Sequence, residues 1–324
     1  MKVSQIEANG SPSEIVRSRH HWAVLLAGGD GTRLQRLTLK IAGDSRPKQF
    51  CSIFDGGSLL AQTRARLKSL FDVDRELFVV TRTHEPYYRE ELRNVHDSCI
   101  IQQPLNRGTG VAVPVAVLHI LRHDTDAVVV LVPCDHYYSD ADAFGRAISV
   151  ALSAVEQYPA SVVVLGAEAH YAEVEYGWIE LGSAISNSGV PLLHVNRFLE
   201  KPSLRQAQEL YRRGCLWNTF VTIGRASTFV DLLCSQVPEV ILSINEALAD
   251  NELEALYRML PSVDLSSHVL AHQPHRLRAV ADRTSGWADL GSPRRVMDIL
   301  ARNNIQPAWL RDMNSLSDVF ALSA

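Results

Sequence analysis

The sequence predicts an α/β fold built on an open, mostly parallel β-sheet with helices on both faces. Short runs rich in Val, Ile and Leu recur along the first half of the chain without polar alternation, which is typical of strands covered on both sides. Segments with apolar residues at helical spacing lie between these runs. The sequence contains no internal repeat, heptad pattern or low-complexity tract, so solenoid and coiled-coil architectures are set aside.

The first predicted strand, 22–27, leads directly into a glycine-rich loop. Helix 58–70 follows, because Ser58 is a candidate N-cap and leucines recur on one face. Further strands are predicted at 77–81, 99–102, 127–133 and 161–166, with helices at 110–121 and 140–158. The second half is predicted to contain strands 177–180, 193–200 and 220–224, and helices 204–213, 227–234, 239–259 and 293–303. We expect this half to form a small region that shapes the pocket of a second substrate.

Composition narrows the class of function. Of the 324 residues, 46% are hydrophobic and 21% are charged, and the formal net charge is −4. This charge gives no overall attraction to nucleic acid or to an anionic membrane. The longest purely apolar stretch, 127–132, is far shorter than the ~20 residues that cross a bilayer. We therefore expect small-molecule partners, with no nucleic acid and no membrane.

The cysteines and the chain ends give weaker expectations. The five cysteines are widely separated and form no CxxC pair, which favours reduced thiols in the cytoplasm without zinc or disulfides. Residues 1–20 are too polar for a signal peptide and are expected to be a loosely ordered leader. One large domain is expected at 21–295, followed by a C-terminal helix and tail at 296–324.

A phosphate-binding loop is predicted directly after the first strand. Gly28, Gly29 and Gly31 allow backbone amides to approach an anion, and Thr32 and Arg33 add side-chain donors. A dinucleotide fingerprint would need another glycine at Leu34, and no GxxxxGK[ST] run is present. The loop is therefore neither of these two motifs. A tight turn with a solvated arginine is the alternative.

Three further side chains fit the chemistry of a polyphosphate. Lys48 follows a proline and could bring a second cation to the phosphates, or be a solvated surface charge. Asp135 follows the most apolar strand, where a carboxylate can bind Mg²⁺. Asp289 is the best second ligand. Each aspartate could instead cap a nearby helix.

The same segments, in the same order, resemble the signature of sugar-nucleotide pyrophosphorylases. Within these nucleotidyltransferases the chain looks closest to mannose-1-phosphate guanylyltransferases. The similarity covers roughly residues 22 to 295. It rests on LAGGDGTRL at 26–34, RPKQF at 46–50, QPLNRGT at 103–109, PCDH at 133–136, YGWIE at 176–180, FLEKP at 198–202, WN at 217–218 and WADLGS at 287–292.

This resemblance implies a Rossmann-like, GT-A-like sheet and transfer of GMP from GTP to mannose 1-phosphate, giving GDP-mannose and pyrophosphate. It implies Mg²⁺ on Asp135 and Asp289, with Arg33, Lys48 and Asp135 as catalytic residues. The sugar phosphate is already an anionic nucleophile, so no covalent intermediate is expected. The implied nucleotide-binding residues are Ala27, Gly28, Gly29, Gly31, Thr32, Gln103, Arg107, Gly108 and Thr109. The implied sugar-binding residues are Gly177, Glu180, Glu200, Lys201 and Asn218.

Some positions depart from the family pattern or stay open. The segment between Arg33 and Pro47 is longer than usual, Thr219-Phe220 replaces Ser-Gly, and His268-Val269-Leu270 replaces Met-Glu-Lys. Gln103 stands where related enzymes commonly have a glutamate; guanine is nevertheless favoured as the base. Glu200 and Lys201 could be solvated charges at a strand end. Trp178 and Trp217 could stack on a sugar or lie in the core. The histidines, His136 included, are interpreted as structural or surface residues.

Three alternative functions and an open oligomeric state accompany this prediction. A related nucleotidyltransferase could use another hexose 1-phosphate or another nucleotide. A non-catalytic nucleotide-sugar sensor would keep the pocket without turnover. A glycosyltransferase on a similar sheet would need a DxD metal motif, and Asp140-Ala141-Asp142 falls at a predicted helix start instead. A homodimer is compatible with the sequence.

Overall fold

The computed structural model describes residues 18–186 and 191–311. Most of the predicted leader, and the tail beyond residue 311, therefore lie outside the described residues. The strands are β1 (His21–Leu26), β2 (Glu76–Thr81), β3 (Ile100–Gln103), β4 (Val128–Pro133), β5 (His136–Tyr137), β6 (Val162–Glu168), β7 (Gly177–Ser186), β8 (Leu192–Glu200), β9 (Leu216–Arg225), β10 (Leu277–Asp282) and β11 (Ala288–Asp289).

The helices connect and cover these strands. They are α1 (Gln35–Ala42), α2 (Leu59–Leu67), α3 (Glu85–Tyr88), α4 (Thr109–Leu121), α5 (Ala141–Gln157), α6 (Leu204–Arg212), α7 (Ala226–Cys234), α8 (Pro238–Asp250), α9 (Leu253–Met259), α10 (Leu265–His268), α11 (Pro293–Arg302) and α12 (Ala308–Arg311). Within the described ranges, none of these helices is long and apolar enough to span a bilayer.

Nine strands of the described chain form one sheet in the order β3-β2-β1-β4-β9-β6-β10-β8-β7, and β7 also pairs with β9. The first four strands of this order are parallel neighbours, and β6 and β10 form a second parallel pair. Strand β9 runs antiparallel between β4 and β6. The predicted mostly parallel, mixed sheet is confirmed.

The sheet is covered on both faces, as the apolar runs predict. Every residue of β2 and β4 is buried. One core cluster packs α2 and α5 on one face, through residues such as Leu60 and Phe144. A second cluster packs α4, α7 and α8 on the other face, through residues such as Val113 and Phe229. Because helices cover both sides, functional groups are left to the loops at the strand ends.

The sequence misses some elements. Strand β10 contains Arg278, whose charge obscures the apolar pattern, and the two-residue strands β5 and β11 are too short to give one. The single predicted helix 239–259 is two helices, because Asn251 adopts a left-handed conformation with φ 58° after α8. The longer segment after Arg33 forms α1. Ser58 caps α2 as predicted, accepting a hydrogen bond from the amide of Ala61.

Two glycines with opposite surroundings test this packing. A Cβ on Gly166 in β6 would lie 2.7 Å from Cδ1 and 2.8 Å from Cβ of Leu216 in β9, whereas a Cβ on Gly145 in α5 would meet nothing within 4 Å. We expect Gly166→Ala to lower the free energy of unfolding by about 1–3 kcal/mol through overpacking. The matched Gly145→Ala should raise it by roughly 0.5–1 kcal/mol, because alanine favours the helix. Urea denaturation measures both, and equal effects would contradict the described β6–β9 contact.

Candidate active site

The glycine loop leaves β1 at the edge of the sheet where β3 and β4 also end. Gln49 holds this loop in place, since its Nε2 donates to the carbonyl oxygens of Ala27 and Gly29 at 2.9 and 2.7 Å. Gly31 has φ 62°, a left-handed conformation that favours glycine. Among the described residues, none accepts a hydrogen bond from the amides of residues 28–31. These donors are therefore available to an anion.

The two predicted metal-binding acids converge beside this loop. Asp135 follows β4, and Asp289 lies in β11, which pairs antiparallel with β5. Lys48 lies between them: its Nζ is 3.2 Å from Oδ2 of Asp135 and 3.6 Å from Oδ1 of Asp289. The same Nζ donates to the carbonyl oxygen of Leu290 at 3.0 Å, and Lys48 is only 7% exposed. Lys48 is therefore a buried counter-ion of both acids and not a solvated surface charge.

Neither acid is a helix cap. Asp140 caps α5 itself, and Ser292 caps α11. Burial opposes ionisation of Asp135, but the nearby charge of Lys48 outweighs it and holds the pKa of this carboxyl below its usual value. The acid is therefore ionised at neutral pH and available to a cation.

A second cation supports Asp289 from the other side. Arg295 of α11 donates to Oδ2 of Asp289 at 2.8 Å, and also to Glu173 and Glu175 at 2.8 and 2.9 Å. Glu175 in turn pairs with Arg33 at 3.3 Å. The Arg33 side chain is 63% exposed and borders a cavity of about 280 Å³ that Lys48 and Asp135 also line. The residues predicted to bind the triphosphate, Gly31, Thr32 and Arg33, therefore line this cavity.

His136 belongs to the same group, so its interpretation as a structural or surface residue missed its position. Its Nδ1 accepts a hydrogen bond from Nε1 of Trp287 at 3.1 Å. Its Nε2 lies 3.7 Å from both Asp135 and Asp289. Burial lowers the pKa of His136, although both carboxylates oppose this effect. The ring therefore presents an Nε2–H group to the two acids.

A second cavity, of about 330 Å³, lies on the other side of the loop. Its lining includes Gly28 and Gly29, Gln103 at the end of β3, Gly108 and Thr109 at the start of α4, and Asp135, His136, Phe220 and Asp264. Thr109 donates through Oγ1 to Asp264 at 3.2 Å, which joins the start of α4 to the segment before α10. Gly108 has φ 81°. The structure thus places the predicted base-binding segment beside the glycine loop.

Arg107 does not face this cavity. Its Nε donates to the carbonyl oxygen of Tyr257 at 2.9 Å, and its Nη2 donates to that of Arg258 at 3.1 Å. These carbonyls lie in the last turn of α9, where a cation is favourable. The guanidinium of Arg107 therefore holds a helix end, and a contact of Arg107 with the nucleotide stays a prediction.

The predicted sugar-binding residues come together at the ends of β7, β8 and β9, except for one. A Cβ on Gly177 would lie 2.6 Å from Oε2 of Glu200 and 3.1 Å from Cβ of Asn218, so a side chain there would fill the site. Lys201 lies beside them, with Nζ 3.7 Å from Oε1 of Glu200, and its side chain is 67% exposed. Carboxylate, amide and ammonium groups thus meet at one place.

Glu180 is the exception. It lies on the opposite face of β7 from Gly177, and forms ion pairs with Arg213 and Arg197. The period of two along a strand explains this placement, because residues 177 and 180 differ by an odd number of positions. The structure therefore does not bring Glu180 together with Gly177, and its role in the sugar pocket stays a prediction. Trp178 and Trp217, 0% and 4% exposed, belong to the core, which decides between the two interpretations given for them.

Phe220 adopts a left-handed conformation, φ 65°, at the position where the family pattern has glycine. Two side chains hold it there: Oδ1 of Asn218 accepts from the Phe220 amide, and Oγ1 of Thr222 donates to the Phe220 carbonyl, both at 3.0 Å. Such strain persists where surrounding contacts determine it. The same contact orients Asn218, whose Nδ2 donates to Oγ of Ser266 at 3.4 Å and would lie 3.3 Å from a Cβ on Gly177. The other departures, Val269 and Leu270, are buried core residues.

The sequence profile described as Nucleotidyl transferase matches residues 22–304. The chain belongs to the nucleotidyl transferase family. Alginate biosynthesis protein AlgA of Pseudomonas aeruginosa is 28% identical over 292 residues, which are 86% of this chain and 58% of that protein. A mannose-1-phosphate guanylyltransferase of Escherichia coli is 31% identical over 235 residues, 70% of this chain and 48% of that protein. The chain spans about half the length of the curated relatives it matches.

Comparison with solved structures supports the same family assignment. The structure described as mannose-1-phosphate geranyltransferase from Thermus thermophilus has a TM-score of 0.74 and 31% identity, covering 86% of this chain and 79% of that chain. UDP-glucose pyrophosphorylase complexed with UDP-glucose has a TM-score of 0.56 at 17% identity, covering 88% of this chain and 98% of that chain, and shows the fold alone. The predicted family and its GT-A-like fold are confirmed.

Glu200 gives this nucleotidyl transferase a testable pH dependence. Burial, helped by the nearby Asp264, raises the pKa of Glu200 from 4.5 to about 7. The folded chain therefore holds a proton that the unfolded chain releases in this window, so the contribution of Glu200 to stability falls as pH rises from 4.5 to 7. We expect Glu200→Gln to be more stable than wild type at pH 8 by on the order of 1–3 kcal/mol.

The advantage of Glu200→Gln should disappear near pH 4, where the wild-type carboxyl is protonated in both states. Thermal unfolding across pH measures it. Glu246→Gln, on the exposed face of α8, is the matched control and should show no such trend. A constant difference at all pH values would contradict the buried position of Glu200.

Proposed function

We propose that this chain catalyses the Mg²⁺-dependent transfer of GMP from GTP to mannose 1-phosphate, giving GDP-mannose and pyrophosphate. One observation carries the proposal: two acids from distant parts of the sequence, Asp135 and Asp289, meet around Lys48 beside a loop with free amides. The guanylyltransferase name of relatives at about 30% identity supports the choice of substrates.

The residues present fit a magnesium ion. Asp135 and Asp289 supply hard oxygen donors from two directions, and Lys48 lies beside both. The described ranges contain no cluster of three or more His, Cys, Asp or Glu side chains arranged around one metal position. This suits Mg²⁺, which is commonly held by one or two carboxylates while substrate phosphates and waters complete its shell. When bound, the ion neutralises charge on the nucleotide and sugar phosphates.

The residues of the chain position the reactants. The amides of residues 28–31, with Thr32 and Arg33, bind the triphosphate, and Lys48 supplies a fixed charge beside the α-phosphate. Glu200 and Asn218 bind sugar hydroxyls, and Lys201 pairs with the 1-phosphate. A phosphate oxygen of the sugar attacks the α-phosphorus, the bond to the β-phosphate bridging oxygen breaks, and pyrophosphate leaves. The nucleophile is already ionised, so no side chain has to remove a proton.

Pyrophosphate release with five nucleoside triphosphates and several sugar 1-phosphates tests the proposal. We expect the highest kcat/KM with GTP and mannose 1-phosphate, and none when Mg²⁺ is removed by chelation. A preference for another nucleoside triphosphate or another sugar 1-phosphate would support nucleotidyl transfer but contradict the proposed substrates. Tight binding of GDP-mannose without pyrophosphate release at any Mg²⁺ concentration would contradict catalysis and favour a sensor.

Asp135→Asn should lower turnover by roughly 10³-fold or more, because it removes a metal ligand and a charge that balances Lys48. The protein should still fold, with a lowered melting temperature, because Lys48 loses one counter-ion and keeps Asp289 at 3.6 Å. Asp142→Asn, an exposed acid in the first turn of α5, is the control and should leave turnover unchanged. Unchanged turnover in Asp135→Asn would remove the metal-binding role from this residue.

A further inference from the structure

We propose that the base cavity selects nucleotides whose base carries an oxo group at C6 of a purine or at C4 of a pyrimidine, and that Tyr257 imposes this selection by fixing the side-chain amide of Gln103. Guanine, hypoxanthine, uracil and thymine belong to this class; adenine and cytosine, which carry an amino group at the corresponding position, lie outside it. The inference rests on the proposed function only in that a nucleotide base occupies the cavity formed by Gln103, Gly108, Thr109 and Asp264.

The Tyr257 hydroxyl lies 3.0 Å from Oε1 of Gln103. Tyr257 is 0% exposed and Gln103 is 3% exposed, so neither group can exchange this contact for water. Among the described residues, no other acceptor lies within hydrogen-bond distance of the Tyr257 hydroxyl. A buried hydroxyl that leaves its hydrogen unpaired loses free energy, so this hydroxyl donates and Gln103 accepts through Oε1.

The contact determines which end of the amide faces the cavity. With Oε1 held by Tyr257, Nε2 points toward the glycine loop, where a Cβ on Gly28 would be only 2.6 Å away. No acceptor in residues 18–186 or 191–311 receives a hydrogen bond from this Nε2. The amide therefore presents N–H donors, and not its carbonyl oxygen, to a ligand beside Gly28 and Gly29.

Tyr257 is itself held in place. It lies in α9, and Arg107 donates to its carbonyl oxygen and to that of Arg258 at 2.9 and 3.1 Å. Arg107 comes from the same 103–109 segment as Gln103. One segment thus supplies the amide that reads the base and the guanidinium that anchors its orienting helix. Tyr257 and Arg107 are positioning residues.

The hydrogen-bonding groups of the bases determine which nucleotides this donor favours. O6 of guanine or hypoxanthine, and O4 of uracil or thymine, can accept from Nε2 of Gln103. The amino groups of adenine and cytosine occupy the same positions and are themselves donors. Each would therefore place an N–H group against the N–H group of Gln103. A site that leaves a buried polar group unpaired against the wrong ligand discriminates strongly.

The test measures equilibrium binding of GTP, ITP, UTP, ATP and CTP to the full chain with Mg²⁺ and without a sugar phosphate. We expect wild type to bind the three oxo-base nucleotides at least tenfold more tightly than ATP and CTP. Tyr257→Phe removes the hydroxyl and lets the amide rotate. It should reduce this ratio by about tenfold, mainly by weakening GTP, ITP and UTP.

Tyr88→Phe is the matched control. Nε2 of Gln102, on the same strand, donates to the Tyr88 hydroxyl at 2.6 Å, so the variant also loses one tyrosine–glutamine hydrogen bond. It should keep the wild-type ratio. Should Tyr257→Phe fail to fold, Gln103→Leu removes the amide itself and should abolish the preference.

Equal binding of ATP and GTP by wild type, or an unchanged ratio in Tyr257→Phe, would overturn the inference. Binding and turnover separate it from the proposed function. If the chain prefers oxo bases but releases no pyrophosphate with any sugar phosphate, the inference is supported and the proposed function is contradicted. If pyrophosphate release is as efficient with ATP as with GTP, nucleotidyl transfer is supported and the inference is contradicted.

Discussion

The site depends on holding two like charges together. Asp135 and Asp289 would repel each other in a partly buried setting, and the chain keeps them in place with Lys48 between them and Arg295 behind Asp289. Lys48 is buried, Arg295 is partly buried, and each is bound by further partners, so neither moves freely. Burying these charges costs desolvation free energy. Removing one partner also destabilises the protein, because it leaves an uncompensated charge. The arrangement places two carboxylates beside the glycine loop, one on each side of the Lys48 ammonium group.

The sheet topology brings these groups together. Strands β1, β3 and β4 end at one edge, so the glycine loop, Gln103 and Asp135 need little additional structure to meet. Asp289 reaches them through the short β5–β11 pairing. The antiparallel strand β9, between the two parallel blocks, adds Asn218 and the strained Phe220 to the same edge. The segments proposed to bind the triphosphate, the base and the sugar therefore lie along one edge of the sheet.

Much of this could be predicted from the sequence, and the misses have physical causes. The long apolar strands, the Ser58 cap and the glycine loop are local features with characteristic patterns. His136 and Arg295 have no such pattern, because their roles come from contacts with residues more than a hundred positions away or across a short pairing. Arg107 and Glu180 were placed in the site by resemblance, which supplies a position in a motif but not the direction of the side chain.

The sequence alone determined the family, the mostly parallel sheet and the identity of the glycine loop and the two acids, because these depend on local residue types, their order and their spacing along the chain. Only the tertiary structure decided that Lys48 is a buried counter-ion, that Glu180 faces away from Gly177, and that Tyr257 orients Gln103. Such facts depend on distances between segments far apart in sequence, and on which hydrogen-bonding group is already paired. Neither is encoded in any single stretch of residues.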